Sequence, residues 1–174
     1  MTSAAHSEAK SIAKPHGFVT KGIHWLSALL IGYGYFKGLN NVNQLADPAL
    51  FRFEVIFAAA LGVLFLVRLL WTHKIGGATR LPKTAPKWEQ RASRAVHYGL
   101  YGSVFAIVGT GLGIAYGYAS PFLGHLFIRT MIALHEAALT VLPLLLLAHI
   151  GGALWHKFIR RDRVMESMTG KLPI

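Results

Sequence analysis

Histidine is the residue type through which this chain is equipped to do chemistry. Nine are present, and no cysteine accompanies them. That removes disulfides, iron–sulfur clusters, thiolate zinc sites and covalently attached c-type haem. Any tightly bound redox centre must then be held by imidazole, thioether or oxygen ligands. Five histidines fall within strongly apolar sequence: His24, His97, His135, His149 and His156. Ionisable groups are costly in such surroundings, so each marks a candidate functional position. His6, His16, His73 and His125 fall in polar tails or connectors and read as solvated surface residues.

The spacing of the last three is the most informative. His135 and His149 are fourteen positions apart, and His149 and His156 seven. At about 100° per residue, seven helical residues return to within roughly 20° of the same face, and fourteen to within roughly 40°. Fourteen residues also advance about 21 Å along the axis. One helix face thus carries imidazoles at two depths and a third at its boundary, the separation that two haem levels in one bundle need. His24 comes to a depth similar to His149 when their segments run antiparallel. Imidazoles from facing helices, one on each side of a flat ring, make a six-coordinate iron suited more to electron transfer than to oxygen binding. Spacing alone leaves a proton relay or interhelical hydrogen bonding open as the use of these residues.

The elements that must position them are four apolar segments, at about residues 19–36, 50–71, 95–118 and 130–158. A hydrocarbon core roughly 30 Å thick needs about 20 helical residues, so each can span, the first only just. The expected fold is all-α, an integral membrane four-helix bundle. Of the 174 residues, 53% are hydrophobic and 14% charged, rich and poor respectively for a soluble domain. The organisation expected is an N-terminal tail at 1–18, a four-span membrane domain at 19–159 and a C-terminal tail at 160–174. Residues 1–18 lack the apolar core of a secretory signal, which leaves the first span as the insertion signal. Connectors lie at 37–48, 73–94 and 119–129; Gly and Pro mark the second as a loop, with Trp88 and Glu89 starting a short interfacial turn. Gly32, Gly34, Gly109, Gly111, Gly113, Gly151 and Gly152 leave room for a porphyrin or for close helix approach.

The net charge of +11 does not form a basic stripe of the kind that binds nucleic acid; it flanks the apolar segments. Lys10, Lys14 and Lys21 precede the first span. Lys74, Arg80, Lys83, Lys87, Arg91 and Arg94 separate the second from the third, and Lys157, Arg160, Arg161, Arg163 and Lys171 follow the fourth. The other side has only Lys37, Arg52 and Arg129. The positive-inside rule then places both termini in the cytoplasm. Trp25, Trp71, Trp88 and Trp155 lie near span ends on that side, as an aromatic belt would. Tyr33, Tyr35, Tyr98 and Tyr101 read as packing residues.

Several short motifs stand in register across the four spans. G-I-H-W holds His24, V-R-L-L holds Arg68, and H-x-x-x-Y begins at His97 with Gly111 fourteen residues on. L-H-E holds His135, with His149 and His156 following. Together they resemble the bacterial cytochrome b561 family, in particular its small four-span members that include superoxide oxidase, and the related b subunits of formate dehydrogenases and nickel–iron hydrogenases. The resemblance covers residues 18–163. It implies two b haems stacked across a bacterial inner membrane, with a multi-pass chain in the lipid bilayer. The cytoplasmic-side haem falls to His24 and His149, and the outer haem to His135 with a histidine of the second span. A ubiquinone site is implied at His97 and His156. The implied function is electron transfer between an outer-face redox partner and the quinone pool, as in a superoxide:ubiquinone oxidoreductase. The alternative is a haem-bearing anchor or accessory subunit of a larger respiratory or photosynthetic complex. A haem-free transporter using the histidines as a proton path is opposed by the lack of an internal repeat and of paired broken helices.

The chain departs from the family pattern at one position. Fourteen residues before Arg68, where the second-span histidine belongs, stands Glu54. A carboxylate replaces imidazole poorly on a low-spin haem. The outer haem is then absent, five-coordinate on His135, or held by another residue, for which His125 in the outer loop is a candidate. Glu54 itself reads as an ion-pair partner of Arg52, Arg129 or His135. Arg68 has two readings, snorkelling to the cytoplasmic headgroups or neutralising haem propionates.

Overall fold

A computed structural model describes residues 17–39, 41–76, 81, 85–120, 122–162 and 164–169. Lys10, Lys14, Arg80, Lys83, Arg163 and Lys171, and the histidines His6 and His16, lie outside the described residues. The chain forms α1 (Phe18–Lys37), α2 (Pro48–Trp71), α3 (Lys87–Ala119), α4 (His125–Trp155) and a short α5 (Glu166–Thr169). A 3₁₀ turn at Val42–Ala46 leads into α2, and wide π turns at Thr72–Gly76 and His156–Arg160 extend α2 and α4. The four long helices are the expected bundle. α1 begins and α4 finishes at one end of the bundle, the terminal end, and the opposite end is the far end.

Local chemistry sets the helix boundaries. The Asp47 carboxylate accepts from the backbone N–H groups of Ala49 and Leu50, and Pro48 occupies the first helical position, where a missing N–H costs nothing. Before it, Asn41 and Gln44 form a reciprocal capping box. Glu89 stands in the first turn of α3, favourable for a carboxylate at the positive end of the helix dipole. α4 is closed by Arg161 in the left-handed region (φ 51°, ψ 37°), which lets the Asp162 N–H return to the His156 carbonyl at 3.1 Å. Pro143 lies inside α4, a position that helices in lipid tolerate.

Two boundaries differ from the sequence expectation. α3 runs unbroken from Lys87, so Trp88 and Glu89 belong to its first turn and not to a separate interfacial turn. His125 is the first residue of α4 and not part of the far-end loop.

Among the described residues three helical stretches are long and apolar enough to cross a membrane: Pro48–Lys74, Lys87–Ala119 and His125–Arg160. α1, with 20 residues, reaches about 30 Å, although Lys21, His24 and Lys37 dilute its apolar content. The helices pack in sequence: α1 on α2, α2 on α3 and α3 on α4, the last pair most extensively. Leu61 and Phe65 of α2, Val104 and Val108 of α3, and Leu142 of α4 form the buried centre. Large aliphatic side chains such as Leu29, Ile56, Val63, Leu144 and Leu147 face outward, the inversion of a soluble surface that a bilayer accommodates.

Glycines serve this packing in two ways. At Gly34 and Gly113 an added Cβ would press on Phe57 and Met131, so these two admit a neighbouring side chain, while at Gly111 it would sit in ordinary contact with His135. At Gly32, Gly109, Gly151 and Gly152 it would meet nothing within 4 Å. Only the latter four keep the open space expected of all seven.

Candidate functional site

Each long helix contributes one nitrogen-bearing side chain to a cluster in the terminal half of the bundle. These are His24 from α1, Arg68 from α2, His97 from α3 and His149 from α4. The rings of His24 and His149 have centroids 6.2 Å apart, tilted by 48°. Those of His97 and His149 meet edge to face at 5.0 Å. Arg68 is turned inward and not snorkelled to the helix end: its Nη2 donates to His24 Nδ1 at 2.8 Å. Its guanidinium carbon lies 5.7 Å from the Phe65 ring centre and 5.8 Å from that of Tyr101. Trp71 Nε1 donates to Thr20 Oγ1 at 3.1 Å, tying α2 to α1 at this end.

Hydrogen bonds assign the tautomers. His97 Nδ1 is 2.6 Å from the Ser93 carbonyl, which only accepts, so the ring proton is on Nδ1 and Nε2 carries the lone pair. A guanidinium only donates, so Nδ1 of His24 is the acceptor.

Two imidazoles sharing one iron, with metal–nitrogen bonds of about 2 Å and ring centres roughly 1 Å behind each nitrogen, have centroids about 6 Å apart. His24 and His149 meet that requirement. His97 and His149, in direct contact, do not. Within this cluster the His24–His149 separation is the one that matches the span of two imidazoles on a single iron, and Gly151 and Gly152 leave space beside His149.

Residues 16–171 match the family model for prokaryotic cytochrome b561. The chain belongs to this family. It is accordingly a multi-pass membrane protein that carries haem b and transfers electrons. No solved structure and no curated protein matched it.

The cytochrome has two further clusters. His156 is buried where α4 meets its π turn, and its Nδ1 donates to Asp162 Oδ2 at 2.7 Å. One turn on, Arg160 donates through Nε and Nη2 to Glu89 Oε1 at 3.0 and 2.5 Å. Glu89 is 5% exposed, and its Oε2 has no hydrogen-bond partner among the described residues. Nothing in the setting of Glu89, between tryptophan and basic residues, marks it in the sequence as a buried partner of Arg160.

In the far half, His135 packs against α3, its Nδ1 2.9 Å from Thr110 Oγ1. Glu54 turns toward α1 and lines a shallow hollow with Tyr33, Gly34, Lys37 and Phe57. Among the described residues the ion pairs are His156–Asp162 and Arg160–Glu89, so the expected pairing of Glu54 with Arg52, Arg129 or His135 is not formed. His73 and His125 are exposed.

Proposed function

We propose that in this cytochrome His24 and His149 would hold one b haem. Electrons pass between a donor at the far face and ubiquinone near His97 and His156, and the reaction is superoxide oxidation coupled to quinone reduction. The reading rests above all on the 6.2 Å separation of the two rings between α1 and α4. When bound, the haem supplies a one-electron redox centre inside the bundle.

The chain's own residues supply the rest. Arg68 places a positive charge beside the ligands, where it can offset propionate charge. Phe65 and Tyr101 flank that guanidinium and limit its movement. His156, with its proton fixed on Nδ1 by Asp162, offers Nε2 as a proton acceptor at the terminal end. Two superoxide anions yield two O₂ and two electrons; with two protons these convert ubiquinone to ubiquinol. The excess of Lys and Arg at the terminal end supports a cytoplasmic location for both termini, in the bacterial inner membrane.

Glu54, in place of a second-span histidine, favours a second reading: a haem-bearing subunit of a larger respiratory or photosynthetic complex. The two separate on one experiment. Purified chain in vesicles containing ubiquinone is exposed to enzymatically generated superoxide. One ubiquinol per two superoxide consumed, lost in His149→Ala, supports the oxidase; haem-loaded chain that forms no ubiquinol unless a partner protein is present supports the subunit.

A further inference from the structure

His135 is oriented by α3 in a way that a merely packed histidine is not. Thr110 Oγ1 lies 2.6 Å from the Ala106 carbonyl, so its single proton is donated there. The same oxygen is 2.9 Å from His135 Nδ1 and must accept, which puts the ring proton on Nδ1 and the lone pair on Nε2. His135 also packs closely on α3 beside Gly111, where an added Cβ would sit in ordinary contact, 3.4 Å from His135 Cε1. An Nδ1–H held by a hydrogen bond, with the lone pair on Nε2, is the arrangement in which metal-binding histidines are held.

The opposite side is not equipped to match. Glu54 lines the hollow on α1. His24, His97 and His149 gather in the terminal half, and His73 and His156 stand at that end. His125 and Met131 precede His135 on its own helix, and a ligand on the same helix cannot reach across a ring. Among the described residues no imidazole or thioether of α1, α2 or α3 stands in the far half.

We propose that Thr110 and His135 form a one-sided iron site. Thr110 fixes the imidazole so that Nε2 is presented to a second b haem, and the other axial position stays open to small ligands of the carbon monoxide class. This rests on the cytochrome reading above and adds to it a ligand-binding position that the His24–His149 pair does not have.

The test uses the purified full chain, reduced and titrated with carbon monoxide. Two b haems per chain are expected, half of the haem absorbance shifting with carbon monoxide and half inert. His135→Ala should remove the reactive half and keep the inert half. Thr110→Val should weaken retention of the reactive haem by about tenfold or more, and Thr110→Ser, which keeps the hydroxyl, should restore it. Two haems that are both inert would overturn the open position while leaving the His24–His149 reading intact. One haem per chain, unaffected by His135→Ala, would overturn His135 as a ligand. A chain without haem would overturn both readings.

Discussion

Arg68 donates to Nδ1 of His24 across 2.8 Å, joining the second helix to the imidazole that we assign as a haem ligand. While that bond stands, the ring proton of neutral His24 is on Nε2. Iron ligation through Nε2 therefore needs the contact to open or the proton to leave, and an opened guanidinium is then available to propionates. A unit charge within about 8 Å at an effective dielectric of about 20 contributes about 2 kcal/mol. Arg68→Leu should thus lower the haem midpoint potential by tens of millivolts, measured by redox titration, and Arg68→Lys should recover most of it. A potential unchanged in Arg68→Leu would detach Arg68 from the haem.

The Glu89–Arg160 pair ties the start of α3 to the end of α4. Arg160→Ala leaves a buried carboxylate without its donor, a loss on the order of 1–3 kcal/mol, so thermal unfolding in detergent should occur at lower temperature. Glu89→Ala combined with Arg160→Ala should cost less than the two single changes together. Strict additivity would mean that the pair is not coupled.

Gly117 brings α3 close to α4 at the far end, where an added Cβ would come within 2.8 Å of Ile128 and 3.2 Å of Phe127. Gly117→Leu should destabilise the bundle by about 1–3 kcal/mol through overpacking. The spectrum of the haem at His24 and His149, some 30 Å away along the helix, should be unaltered. A changed spectrum would show that the two ends are not independent.

The fourteen-residue interval between His135 and His149 was legible because helical periodicity acts within one segment, and the structure keeps both on α4 in opposite halves of the bundle. Contacts between segments were not legible in that way. Nothing in the spacing separates His24 from His97 as the residue that stands apart from His149 by an iron's width. That distinction arises from how closely α3 and α4 pack and how α1 is held off. Thr110 carries no signal of its own in the sequence, and its importance depends on α4 presenting His135 to it. Glu89 reads in the sequence only as part of a short interfacial turn, and its burial goes with the arrival of Arg160 from the end of α4. The positions of Glu54 and Arg68 were plain from the sequence, while the directions of their side chains needed the fold.

His149 is the one imidazole that both His24 and His97 approach, and the haem assignment turns on it. The direct measurement is the reduced visible spectrum of purified His149→Ala, recorded with the unaltered chain and with circular dichroism as a check on folding. The expected result is a helical protein that has lost the α band of the carbon-monoxide-inert haem. A helical variant that keeps that band at full intensity would contradict it.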